Sequence, residues 1–472
     1  MTRSLDITPV PGKPLLLLGA FAIDSVGYVA EEFFISGTAS SYAPQGALGP
    51  DGRWDVTPTG TADYTTRMVA LTPADPAHFN GTVLVEWLNV SGGIDAPAVW
   101  MMAHREILRA GYGYVAVSAQ KVGVDGGASL LGMDMSLKTQ DPTRYAALDH
   151  PGDAFAFDIF SQIGELVRND GDGMLGGVRP QHVIGIGESQ SAMFLTTYVN
   201  AVDPLARVYD GFLVHSRFGP AAPLDGVSLI EGLEASRGSQ QAVKFRPDLR
   251  VPLLTVITET DLFGHVPLGY YSARQPDNEW LRVWEIPGAA HADNYTILVA
   301  PIDSGSAPLS DIVAAYAPTN MLMGQQLEHY INFGPQHHYV VQAAIAALDR
   351  WVCTGEPAPS AAPIAMSESE SPQLLLDANG LAQGGIRTPW VDVPIARTSG
   401  VTADESLMAA IFGSGEPFDA DTVRRLYPGG ITQYLKRFTT ALDAAISSGF
   451  ILAADRAEIL ELAAATYPGE RS

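Results

Sequence analysis

Cysteine occurs once in the 472 residues, at Cys353, so no internal disulfide can form. It follows Ala347-Leu348-Asp349-Arg350-Trp351-Val352, which reads as helix, and core filling is its expected role rather than nucleophilic chemistry. Positive charge is scarce as well. The chain has 28 Lys and Arg against 52 Asp and Glu, a net charge of −24. Nucleic acid and anionic membrane both need a basic surface, so this balance argues against either as partner. Charged residues make up only 17% and hydrophobic ones 46%, which argues for a folded protein. No apolar run is long enough to span a bilayer. The nearest to a signal segment is Leu15-Leu16-Leu17-Leu18-Gly19-Ala20-Phe21-Ala22-Ile23. Asp6, Pro9, Pro11 and Pro14 interrupt the basic region that should precede it, and Asp24 follows at once. It reads as a first strand, in a cytoplasmic protein. Asp125, Asp134 and Asp141 lack the spacing of a calcium loop and read as turn residues, so no metal site is expected.

What is present is strand–helix rhythm. The first 70 residues carry aromatic and β-branched runs, Gly27–Gly37 and Tyr64–Leu71, separated by the turn-rich Ala47–Gly52, and predict an antiparallel hairpin region. From about residue 80 strands alternate with helices, which predicts a mostly parallel sheet covered by helices. The strands are Thr82–Leu88, Tyr112–Ser118, His182–Gly187, Gly211–His215, Pro252–Thr258 and Leu281–Ile286. Helices are expected near Ala98–Arg109, ended by Gly111, and near Ala154–Arg168. Residues 218–250 carry no strong strand and read as a lid or cap. A Pro/Ala/Ser-rich stretch over 356–363 then divides a core, residues 1–355, from a C-terminal appendage, residues 356–472. Two amphipathic patterns in the appendage, Ile431–Ser448 and Ala454–Ala465, should pack back on the core.

The chain is organised around Val183-Ile184-Gly185-Ile186-Gly187-Glu188-Ser189-Gln190-Ser191-Ala192. A strand ends at Gly187 and turns sharply through a serine into a helix, the pattern of a nucleophile elbow. Gly185 and Gly187 also begin a dinucleotide-binding fingerprint. Its third small residue would fall at Gln190, which is too large for close helix–strand packing. Where the common elbow has a second glycine, this one has Ser191.

An elbow serine needs an acid and then a histidine, in that order along the chain. Both occur where strands end: Asp261 in Thr258-Glu259-Thr260-Asp261-Leu262, and His291 in Pro287-Gly288-Ala289-Ala290-His291-Ala292-Asp293. Groups at the carboxyl ends of parallel strands can converge. Glu259 is the rival for the acid, with Asp261 preferred by its distance from Pro252. His291 would take the proton of Ser189, and Asp261 would orient the imidazole. The oxyanion donors would be the N–H of Gln190 and that of Asn89 or Val90, in a loop kept small by Ser91-Gly92-Gly93. His215, Ser216 and Arg217 stand at another strand end and could line the site. His337 and His338 are neighbours that cannot share a helix face, so a structural role is expected for them. Trp87, Trp100 and Trp284 are candidates for an apolar pocket, though aromatics are more often core.

Elbow, acid and histidine together resemble the α/β-hydrolase superfamily. Further strings narrow the resemblance to a bacterial family known as alpha/beta hydrolase domain proteins. They are Val85-Glu86-Trp87-Leu88-Asn89-Val90-Ser91-Gly92-Gly93, Gly187-Glu188-Ser189-Gln190-Ser191-Ala192, Asp210-Gly211-Phe212-Leu213-Val214-His215-Ser216-Arg217, Ala289-Ala290-His291-Ala292-Asp293 and Gly384-Gly385-Ile386-Arg387-Thr388-Pro389-Trp390-Val391. The resemblance implies an α/β-hydrolase fold, an esterase-like triad at Ser189, His291 and Asp261, and no particular substrate; no metal or organic cofactor is expected. The expected reaction is cleavage of a small, neutral, largely apolar carboxylic ester through an acyl-enzyme. An acyltransferase or a hydroxynitrile-type lyase would use the same three residues. A non-catalytic binding protein on this scaffold would have no need to keep all three.

Overall fold

A computed structural model of the chain describes residues 5–130, 132–169, 173–227, 241–263, 268–369, 371–404 and 406–468. Its centre is a nine-stranded sheet. The strands are β1 (Asp6–Val10), β2 (Tyr28–Pro44), β3 (Val56–Pro73), β4 (Thr82–Trp87), β5 (Gly113–Val117), β6 (His182–Glu188), β7 (Gly211–His215), β8 (Leu253–Thr258) and β9 (Leu281–Ile286). Their order across the sheet is β1-β2-β3-β5-β4-β6-β7-β8-β9. The first three are antiparallel, and β5 is antiparallel to β3. From β5 to β9 every pairing is parallel. The antiparallel start and parallel remainder follow the sequence, because short turns permit hairpins while parallel strands need helical crossovers.

Period-2 side-chain alternation sorts the strands between two apolar layers. Val83, Val85 and Trp87 of β4 enter one layer, Leu84 and the adjoining Leu88 the other. The first layer is covered by α2 (Ala156–Arg168) and α3 (Gln190–Thr197). The second is covered by α1 (Ala98–Arg109) and α4 (Gln336–Thr354). α1 begins against β4: the buried Glu86 carboxyl accepts from the N–H groups of Val99 at 2.8 Å and Trp100 at 3.0 Å. These are amides that a helix start leaves without intrahelical partners. α1 ends at Gly111, whose φ is +76°. A Cβ there would meet the His78 carbonyl oxygen at 1.9 Å, so only glycine fits.

Three expectations are corrected. The apolar Leu15–Ile23 stretch is not a strand; the first strand is β1, and the stretch runs as an irregular strap. It joins no sheet, and side chains take its carbonyls instead. Leu15 accepts from Arg67 at 2.7 Å, and Leu18 accepts from the Trp100 indole at 3.0 Å. Cys353 does lie in a helix, but on its solvent-exposed face, so it fills no core. Trp87, Trp100 and Trp284 are all core residues. Trp87 lies among Phe157, Phe160 and Phe194, and Trp284 meets Phe450 edge-on. Truncating a buried tryptophan of this kind costs about 3–5 kcal/mol.

Beyond α4 the chain crosses back over the sheet's carboxyl edge. A two-stranded ribbon, β10 (Ala396–Ser399) with β11 (Ser414–Pro417), brackets the short helix α5 (Leu407–Phe412). The helices α6 (Gly430–Ser447) and α7 (Arg456–Thr466) come next, with an aromatic cluster that includes Tyr427, Tyr434 and Phe438. Of the stretch read as a lid, residues 228–240 lie outside the described residues. Among the described residues, no helix is long and apolar enough to cross a membrane.

Candidate active site

The turn out of β6 is as sharp as the sequence demands. Ser189 has φ 59° and ψ −118°, a backbone that non-glycine residues rarely adopt. Its N–H donates to the His215 carbonyl at 2.9 Å, which pins the turn to the end of β7. The positions on either side are small for a visible reason. A Cβ on Gly187 would sit 3.0 Å from Leu195 and 3.3 Å from the Ser191 hydroxyl. That hydroxyl donates to the Glu188 carbonyl at 2.7 Å and accepts from the Glu188 N–H at 3.1 Å. Ser191 therefore fastens the helix start back onto the strand.

The residues singled out at three strand ends come together here. His291 Nε2 lies 2.8 Å from Ser189 Oγ, and His291 Nδ1 lies 2.6 Å from Asp261 Oδ1. The second oxygen of Asp261 accepts from the Thr258 N–H at 2.7 Å. Burial alone would push the Asp261 carboxyl up, but His291 and the Thr258 bonds outweigh it and hold the group below its usual range. Burial alone would push the His291 imidazole down. Asp261, by its charge and its hydrogen bond, outweighs it and raises the group above its ordinary value. The Phe218 ring stacks on the imidazole with centroids 5.3 Å apart.

Glu259, the rival acid, points elsewhere. Its carboxyl accepts from the Gly288 N–H at 2.5 Å, the Ser399 hydroxyl at 2.6 Å and the Gly400 N–H at 2.8 Å. It clamps the acid-bearing turn to the C-terminal ribbon. Thr260 adds a second clamp: its hydroxyl donates to the Gly400 carbonyl at 2.7 Å and accepts the His291 N–H at 3.1 Å. Gly400 is packed so closely that a Cβ would stand 2.4 Å from the Thr260 nitrogen.

The loop after β4 separates the two oxyanion candidates. The Asn89 N–H is spent on the Ala96 carbonyl at 2.9 Å, and the Asn89 side chain accepts from Ser91 N–H at 2.8 Å. Asn89 thus shapes the loop and has no free amide, which corrects its candidacy as a donor. The Val90 N–H meets only the Gln190 side-chain oxygen, at 3.4 Å. The Gln190 N–H, first in α3, has no intrahelical acceptor.

A cavity of about 300 Å³ opens beside Ser189. Its polar edge holds Ser91, Glu188, Thr260 and His291, and its walls are apolar. Met193 and Phe218 come from the core, while Leu407, Ala410, Ile411 and Phe412 come from α5. The α5 wall has no motif that could have announced it. His215, Ser216 and Arg217 are fully buried and do not line this space. His337 is buried against His215, and His338 stacks on Tyr295 with centroids 3.6 Å apart. Among the described residues, no group of three or more His, Cys, Asp or Glu is placed to hold a metal ion.

A family profile described as "Alpha/beta hydrolase domain" matches residues 7–461. No curated protein matches the chain. Among solved structures, the chain is similar to a fungal esterase from Rhizomucor miehei, at 10% identity and TM-score 0.33, over 68% of this chain and 85% of that one. An esterase from Pyrococcus furiosus matches at 7% identity and TM-score 0.30, over 59% of this chain and 88% of that one. Acetyl xylan esterase 1 from Thermoanaerobacterium sp. matches at 12% identity and TM-score 0.29, over 60% of this chain and 81% of that one.

Proposed function

The chain belongs to the alpha/beta hydrolase domain family, and from that premise we propose that it is a serine esterase acting through an acyl-enzyme at Ser189. One observation carries the reading. A hydroxyl on a strained turn stands 2.8 Å from an imidazole whose other nitrogen stands 2.6 Å from a buried carboxyl.

Each residue then has one task. Ser189 Oγ attacks the ester carbonyl carbon as its proton passes to His291 Nε2. Asp261 fixes the imidazole with Nδ1–H toward itself and offsets the imidazolium charge. The tetrahedral oxyanion is held by the N–H groups of Gln190 and Val90; the Gln190 side-chain oxygen now facing Val90 is evidence that an acceptor fits there. Collapse breaks the carbon–oxygen bond, and the alcohol leaves with the His291 proton. A water molecule then repeats the sequence on the acyl-serine, releasing the acid and restoring Ser189. The apolar walls and the single acidic side chain on the edge suit a neutral, largely apolar ester.

A fluorophosphonate probe should label Ser189, located by mass spectrometry. Ser189→Ala should lower kcat for p-nitrophenyl acetate by about a million-fold while leaving the thermal unfolding midpoint within a few degrees. Labelling at another residue, or turnover retained in the variant, overturns the reading.

A further inference from the structure

Four buried titratable groups next to this site have no part in the chemistry at Ser189. Glu188, His215, His337 and Asp293 are each less than a tenth exposed. Glu188 Oε2 lies 3.4 Å from His215 Nδ1. His215 Nε2 lies 2.8 Å from His337 Nε2. His337 Nδ1 lies 3.8 Å from Asp293 Oδ2. Asp293 Oδ1 accepts from the Thr296 N–H at 3.1 Å, and Thr296 returns to the cavity wall. The set of groups thus starts and ends at residues that line the cavity, Glu188 and Thr296.

Its protonation follows from geometry. Two imidazole nitrogens 2.8 Å apart share one hydrogen, so one donates and the other accepts. Glu188 Oε2 is buried with no hydrogen-bond donor and no permanent cation beside it. An ionised carboxylate so placed is costly, because the nearest side-chain nitrogen, His215 Nδ1 at 3.4 Å, is itself buried without a hydrogen-bond partner, as is His337 Nδ1. The one hydrogen bond in the group is the shared hydrogen between the two imidazoles. Burial acts the same way on each group. It pushes Glu188 up to about 8, with His291 opposing and Asp261 adding, and Asp293 up to about 7. It pushes His215 down to about 3 and His337 well down. The groups around Glu188 are Glu86 from β4, His215 from β7, Asp261 after β8, His291 and Asp293 after β9, and His337 from α4.

We propose that Glu188 is a positioning residue, held as the neutral acid by burial beside the hydrogen-bonded His215–His337 pair, and that loss of its proton shuts down the reaction at Ser189. The inference rests on Ser189 being the nucleophile. Neutral, Glu188 leaves the oxyanion region free of negative charge. Ionised, it places a like charge one residue from the nucleophile, where the tetrahedral oxyanion must form.

The test is the pH dependence of kcat/KM for p-nitrophenyl acetate, in wild type, Glu188→Gln and His337→Gln. Wild type should fall about tenfold per pH unit above its alkaline limb. Glu188→Gln cannot ionise and should stay level within about twofold over that range. His337→Gln leaves the cavity intact but removes the imidazole paired with His215, and should move the limb to lower pH. A Glu188→Gln profile that superimposes on wild type overturns the proposal, as does an unmoved limb in His337→Gln. Fluorophosphonate labelling of each protein keeps the two readings apart, since failure of wild type to label strikes Ser189 and not Glu188. Should Glu188→Gln not fold, infrared titration of wild type decides. A protonated-carboxyl C=O band must disappear over the pH range in which activity falls, and a band that persists there, or none at all, overturns the proposal.

Discussion

Two histidine–carboxylate arrays flank Ser189, built from the same residue types and held in opposite electrical states. In the first, His291 and Asp261 stand 2.6 Å apart, and the carboxylate has a main-chain donor at 2.7 Å. In the second, Glu188 and Asp293 face His215 and His337 at 3.4 and 3.8 Å. A carboxylate that is given donors stays charged and raises the proton affinity of its histidine. Glu188, whose Oε2 is buried without one, keeps its own proton, and His215 beside it stays neutral. Burial is nearly complete at Asp261 and at Glu188, so hydrogen-bond supply, not depth, separates these two carboxyls.

The sharpest way to break this comparison is to remove one histidine from each array. His291→Ala should lower kcat for p-nitrophenyl acetate by about a million-fold, whereas His215→Asn should cost less than about a hundredfold. Equal losses would mean that the arrays are not distinct. Next in size, Asp261→Asn should lower kcat/KM about 10⁴-fold. It should also move the acid limb of the pH profile. The base must be neutral to accept a proton, so activity is lost as pH falls through the His291 value. Asp261 holds that value above the ordinary imidazole range, and without it the limb should shift to lower pH. A third, smaller effect is expected at Gly400, where an added Cβ would press on Thr260 N and the Ala289 carbonyl. Gly400→Ala should lower stability by about 1–3 kcal/mol and kcat by about tenfold, read by thermal unfolding and by turnover. Smallest in activity is Glu259→Gln. It weakens the clamp onto Ser399 and Gly400 and should cost about 2 kcal/mol in denaturant unfolding, yet change kcat/KM less than tenfold. If Glu259→Gln instead matched Asp261→Asn in activity, the division of labour between these two carboxyls would fail.

Much of the fold and the site is legible in the sequence, for a physical reason. Buried parallel strands read as apolar runs, and the residues just past each run stand at one edge of the sheet. The order of the strands is therefore enough to gather Ser189, Asp261 and His291. Spacing alone does not separate Asp261 from Glu259, because the partners that occupy Glu259 lie about 140 residues away, at Ser399 and Gly400. Asn89 and Val90 are not separable by sequence either, since the difference is one hydrogen bond to Ala96. The apolar Leu15–Ile23 run misleads because hydrophobicity without alternation does not distinguish a strand from a strap. The α5 wall is illegible because small and aliphatic residues carry no signature of what they face. The buried histidine pair is illegible for another reason. His215 and His337 are 122 residues apart in the chain, and only the fold sets them 2.8 Å from each other.

The wall supplied by α5 has a consequence for the order in which the protein becomes competent during synthesis. Ser189 leaves the ribosome 223 residues before Phe412 (412 − 189), the last of the cavity residues in chain order. At about 5–20 residues per second, roughly 10–45 s separate the two. Throughout that interval the nascent chain carries its serine without the far wall of the cavity and without the ribbon that clamps the acid and histidine turns. The sheet can be laid down while the chain is still being made, and the enclosed site is completed only once the C-terminal ribbon has docked.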